Sequence, residues 1–150
     1  MKVLRRILPV FLIFFMGAAF WSCDDDNNDE PLSPDQLPAM ATSFINTYFP
    51  AASIESAITD DGGYEVVLSD GTTIDFNSTG EWQDVDAPVG MTVPIGFYPA
   101  EIDNYIAANA DSFGSTGINE ISKEFARYEV ELLNGLDLYF GLDGSFITYD

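Results

Sequence analysis

No histidine occurs anywhere in this 150-residue chain, cysteine occurs once, and lysine and arginine together number five. Each shortage excludes a class of chemistry. Without histidine and with a lone thiol, the common transition-metal ligand sets cannot be assembled, and neither can a Ser-His or Cys-His nucleophile pair. The few cations are unevenly placed: Lys2, Arg5 and Arg6 sit at the N-terminus, which leaves Lys123 and Arg127 against 25 acids in the rest of the chain, a net charge of −23. Such a polyanion repels phosphates, so nucleic acids and anionic headgroups are excluded as partners. Carboxylate pairs alone can support glycoside hydrolysis, but among 25 acids such pairs arise by chance, and Ser122-Lys123 lacks the spacing of Ser/Lys nucleophiles. The composition argues for a protein that is not an enzyme and carries no cofactor.

Lys2, Arg5 and Arg6 form a basic start, Ile7 to Phe20 is an almost unbroken apolar run, and Ser22-Cys23 is followed at once by acids. The run is short for a membrane span, and the charges after it have the wrong sign for cytoplasmic retention, so residues 1–22 read as a secretory signal. The position of Cys23 resembles the lipobox of bacterial lipoproteins, in which the thiol is acylated and becomes the mature N-terminus; Ser22 fits, while Phe20 and Trp21 are bulkier than usual there. The implied location is the outer membrane of a Gram-negative bacterium, periplasmic or surface-exposed, with membrane contact through the lipid only. Residues 23–36 read as the acylated cysteine and a disordered acidic tether, long enough to hold a domain up to roughly 45 Å from the membrane. The run Asp24 to Glu30 resembles the surface-export signal of some such lipoproteins; a solvated spacer is the alternative. Asp24, Asp26 and Asn28 have the spacing of a calcium loop, but Asp29 stands where glycine is demanded and no glutamate closes it.

The rest of the chain repeats itself. At an offset of 64 residues, Tyr64-Glu65-Val66-Val67-Leu68-Ser69-Asp70-Gly71 lies over Tyr128-Glu129-Val130-Glu131-Leu132-Leu133-Asn134-Gly135, and Phe76 and Gly80 over Phe140 and Gly144. A period of this length means one supersecondary unit used twice. Leu37, Met40, Ala41, Phe44, Ile45 and Tyr48 have helical spacing, with Pro38 in the first turn and Pro50 as the stop; Pro99, Ile102, Tyr105 and Ile106 repeat the pattern. After each helix come short alternating runs broken by Gly turns, with Asp70-Gly71 and Asn134-Gly135 supplying two positive-φ residues for tight hairpins. The expectation is an α+β fold of two tandem repeats, each a helix plus a four-stranded antiparallel sheet, with helices packed on one sheet face. Repeat 1 spans 37–86, a Pro- and Gly-rich connector 87–97, and repeat 2 98–150. Each unit buries Tyr64, Val66, Leu68, Ile74, Phe76 and Trp82 or their counterparts, and because either half is marginal alone the two sheets should join or pack into one module.

The hairpin Tyr-Glu-Val-x-Leu-x-(Asp/Asn)-Gly, the Ile-x-Phe or Leu-x-Phe strand, Tyr48-Phe49-Pro50, Gly80-Glu81-Trp82 and Val93-Pro94 together resemble the PepSY-like domain family of secreted bacterial proteins. The likeness covers about residues 37–150. It implies a fold related to beta-lactamase inhibitory protein, whose concave sheet grips an enzyme, and an extracytoplasmic role in protein binding or peptidase inhibition. The cysteines and contact loops of that inhibitor have no counterparts here, so fold and binding transfer and inhibition does not.

By alternation, the sheet face away from the helices presents Glu65, Val67, Thr73, Asp75, Glu129, Glu131, Asp137 and Tyr139. These are the candidate partner-binding residues, suited to a protein or peptide with a basic or mixed surface. The alternative is a small-molecule, calcium or glycan binding module of the cell envelope.

Overall fold

The structure is a computed structural model that describes residues 31–150. The signal segment, Cys23 and the acidic run Asp24 to Glu30 lie outside the described residues. Eight strands, β1 (Ile54–Asp60), β2 (Gly63–Leu68), β3 (Thr73–Phe76), β4 (Trp82–Asp86), β5 (Ile118–Glu124), β6 (Arg127–Leu132), β7 (Asp137–Gly141) and β8 (Phe146–Tyr149), form one open sheet. They lie in sequence order, each antiparallel to the next. Helices α1 (Ala39–Tyr48), α2 (Ala100–Ala108) and α3 (Ala110–Phe113) complete a mixed α+β fold. The strands do not form two separate sheets: β4 and β5 pair directly through Asp84↔Ser122, Val85↔Ile121 and Asp86↔Glu120.

The alternation that predicts the strands also selects their inner face. A single register line runs through Ala57, Val66, Ile74, Val85, Ile121, Val130 and Leu138, and every one is buried. Burying a side chain of this size contributes about 1.5–3 kcal/mol. Ala41 and Ile45 of α1 and Ile102 and Ile106 of α2 close over this row in a single apolar core. Phe44 meets Phe76 edge-on at 5.7 Å, and Tyr105 meets Phe140 edge-on at 5.9 Å while stacking on Phe146 at 4.4 Å. Tyr64 and Trp82, expected inside, are only partly buried; Trp82 instead stacks on Tyr128 at 6.0 Å, across the seam between β4 and β5.

The turns correct the hairpin expectation. Gly71 and Gly135 have φ of 89° and 80°, but Asp70 and Asn134 do not have positive φ. The Gly71 N–H donates to the Leu68 carbonyl, the Leu68 N–H to the Thr72 carbonyl, and the Thr72 N–H to Asp70 Oδ1. This is a three-residue loop ending on a left-handed glycine, so one positive-φ residue suffices. The same backbone bonds link Leu132, Gly135 and Leu136.

The reading of residues 23–36 as a disordered tether is shortened at its end. Pro31 bridges Ile58, the Leu32 N–H donates to the Ala57 carbonyl, and Pro34–Gln36 form a 3-10 turn whose Gln36 side chain accepts from the Ser33 N–H. The connector is likewise tied down: Asn119 Nδ2 donates to the carbonyls of Ala87, Pro88 and Met91, and Ala87 and Val93 are buried.

Candidate functional site

The face of the sheet away from the helices carries two rows of side chains, fixed by the strand register. One runs Glu65, Asp75, Asp84, Ser122, Glu129, Tyr139 and Thr148; the other runs Val67, Thr73, Asp86, Glu120, Glu131 and Asp137. All eight residues singled out from the sequence fall on these rows, each half-buried. Three residues at the centre escape the sequence pattern: Asp84, Asp86 and Glu120. Strict alternation from Trp82 points Asp84 toward the helices, but the register shifts between Asp75 and Phe76, so Phe76 pairs with Trp82 and Asp75 with Asp84. A comparable shift between Ile118 and Glu120 turns Glu120 outward. The signal present in the sequence is Val85 between two aspartates, and Ile121 between Glu120 and Ser122, each apolar residue marking the inner face.

Directly paired residues on one face hold their Cβ atoms about 5 Å apart, where like charges oppose folding. Glu65, Asp75 and Asp84 occupy three consecutive strands, and Asp86, Glu120, Glu131 and Asp137 four. Burial, followed by the charges of Glu120, Asp75, Asp86 and Glu129, pushes the Asp84 carboxyl up to about 8. Burial with Glu65 and Asp60 pushes Asp75 up to about 6, and burial with Glu131 raises Asp86. One carboxylate oxygen of Asp75 and one of Asp84 are buried with no hydrogen-bond partner among the described residues.

Among the described residues the cations are Lys123 and Arg127. Lys123 lines a hollow with Met40, Phe44 and Trp82, on the helix side. Arg127 reaches the acidic face at Tyr139, its guanidinium 4.3 Å from the ring centroid, while also pairing with Glu124 at 2.9 Å. Tyr139 is thus a partly covered ring, its phenol raised by burial and by Glu129 and Asp137, with Arg127 opposing. Beside Asp75, a hollow of about 430 Å³ opens between the β1–β2 and β3–β4 turns, lined by Asp60, Asp61, Asn77, Ser78 and Gln83 among others. Among the described residues no three His, Cys, Asp or Glu side chains are gathered as a metal-ion cage, and no helix is long and apolar enough to cross a membrane.

An open antiparallel sheet with helices on one face and a charged other face that no helix among the described residues covers defines an α+β module. The chain belongs to the beta-lactamase-inhibitor-like, PepSY-like family, whose model matches residues 62–148. A periplasmic protein from Bacteroides thetaiotaomicron, whose description proposes calcium regulation, is 28% identical with a TM-score of 0.73, over 81% of this chain and 96% of that one. Two periplasmic proteins from Bacteroides vulgatus are each 29% identical. One, of the DUF2874 family, has a TM-score of 0.72 over 84% of this chain and 99% of its own; the other has 0.74 over 81% and 98%. None of these three is described as an enzyme. No curated protein matches the chain.

Proposed function

We propose that this protein is an extracytoplasmic binding module whose acidic sheet face engages a cationic protein or peptide. One observation carries the reading: like-charged residues are set opposite one another across six strands, on the face that no helix among the described residues covers. A solvated face needs only scattered polar groups, whereas carboxyl groups raised by burial and then by their acidic neighbours cost stability and gain most when a cation arrives. The family's inhibitor-like description is consistent with protein binding. The test is a photo-crosslinking residue placed at Val67 on the sheet face or at exposed Asp111 on α3, in the native envelope. Adducts with a basic protein from position 67 alone support the reading; adducts from position 111 alone, or from neither, reject it.

Calcium is a second reading, favoured by the unpartnered Asp75 oxygen at the acidic hollow, by that of Asp84 paired with it on the next strand, and by the calcium-regulated description of a similar protein. A millimolar calcium titration that raises the unfolding midpoint, and no longer does so in Asp75→Asn, separates it from the first.

The anchoring and the duplication belong to the same proposal. Cys23 would hold the domain at an outer membrane through its lipid, and Cys23→Ala should move the protein from the detergent-extracted membrane fraction to the soluble one. That residues 37–86 and 98–150 are two copies of one unit is supported by register shifts at Ile54/Ser56 and Ile118/Glu120, and at Asp75/Phe76 and Tyr139/Phe140. Both pairs recur at the 64-residue offset.

A further inference from the structure

The two edges of the sheet differ. At β1 the chain covers its own edge: Pro31 bridges Ile58, and Leu32 bonds the Ala57 carbonyl while packing against the core. At β8, the other edge among the described residues, no such segment lies alongside. This strand is only four residues long and its pairing with β7 shifts register between Tyr139 and Phe140, but Phe146-Ile147-Thr148-Tyr149 holds no proline and no charge, and Ile147 and Tyr149 are more than half exposed. Its two faces are also distinct. Tyr149 stands over Leu138, and on that side a hollow of about 330 Å³ is lined by Phe113, Leu136, Asn134 and Tyr149. Thr148 stands over Tyr139, in the row that continues to Glu129, and the Asp150 N–H donates to the Asp137 carbonyl beside the second acidic row.

We propose that β8 is a docking edge that takes an extended peptide segment of alternating apolar and basic residues as a ninth antiparallel strand. Backbone hydrogen bonds to β8 supply the affinity, apolar side chains enter the hollow beside Phe113 and Tyr149, and basic side chains lie over the acidic rows. The charge pattern selects this occupant over a second copy, because another chain of net negative charge brings its own acids to the seam. The proposal rests on the acidic face as the binding surface and adds the edge that orients the partner.

The probe is a short synthetic peptide of alternating lysine and valine, compared with the same peptide N-methylated at alternate backbone amides. N-methylation keeps the charge and removes the ladder donors. The parent peptide should bind roughly tenfold or more tightly than the methylated one and slow amide exchange in β8, since several backbone hydrogen bonds are at stake. Equal affinities overturn the edge proposal, and if Glu129→Gln with Asp137→Asn then weakens both peptides, the acidic face stands without it. Conversely, discrimination by N-methylation that ignores those two substitutions keeps the edge and rejects the face. Binding of neither peptide, or a peptide-free dimer broken by Ile147→Lys, overturns the proposal.

Discussion

The inner and outer faces of the sheet are built from the same strands, one residue out of phase, yet their neighbours act on one another in opposite ways. Along the inner line each of Val66, Ile74, Val85, Ile121 and Val130 shields the next from water, so every added strand makes the row more stable. Along the outer lines Asp75 meets Glu65 and Asp84, and Glu120 meets Asp86 and Glu131, so every added strand raises the repulsion. The fold tolerates the second because the first is continuous across the sheet and capped by two helices.

The largest effect should come from damage to the inner face. Phe140 is fully buried and touches Tyr105 and Phe146. Phe140→Ala should cost about 3–5 kcal/mol in urea denaturation. A loss under about 1 kcal/mol would mean that the second half of the core is not packed as described. The reverse sign is expected outside: Asp84→Asn at pH 8 removes the most strained carboxylate and should stabilise the protein by on the order of a few kcal/mol. Destabilisation by that substitution would show that Asp84 makes a favourable contact as an anion.

Smaller effects test the turns that keep the faces in phase, since a one-residue slip exchanges them. Gly71→Val and Gly135→Val each force a β-branched residue into positive φ and should cost about 1–3 kcal/mol. The loss should be greater at Gly71, where an added Cβ comes within 3.1 Å of Pro88 Cγ, than at Gly135, where nothing lies within 4 Å. Smallest for stability is Tyr139→Ala, which gives up a half-covered ring and its contact with Arg127, a loss of about 1 kcal/mol or less. Its affinity for a partner captured through the sheet face should fall by about 1–2 kcal/mol, read by titration of the purified pair.

Period-two alternation makes the inner row and most of the outer candidates legible in the sequence, because Tyr64 to Leu68 and Thr73 to Phe76, like Tyr128 to Leu132 and Asp137 to Phe140, alternate on either side of their glycine turns. The centre of the acidic face is not legible there. Asp84, Asp86 and Glu120 owe their orientation to register shifts beside Trp82 and Ile118 and their proximity to the pairing of β4 with β5 across the connector, and neither follows from local pattern. The three-residue turns are hidden for a related reason: Asp-Gly and Asn-Gly fit both the two-residue and three-residue loops, and the strand ends decide between them. Asn119, which fastens the connector through three carbonyls, gives no signal that distinguishes it from any exposed strand asparagine.

If the outer face buries carboxyl groups beside like charges, the unfolding free energy must change with a definite sign between pH 4.5 and pH 8. A carboxyl raised to about 8 in the folded state, against about 4 when unfolded, leaves the native protein binding more protons than the unfolded chain across that window. Stability should therefore fall as pH rises, with Asp84 contributing across the whole range and Asp75 adding to the slope up to about pH 6, so that Asp84→Asn should reduce the slope throughout and leave little of it above pH 6. A wild-type stability that is level or rises from pH 4.5 to pH 8 would show that the acidic rows carry no such strain.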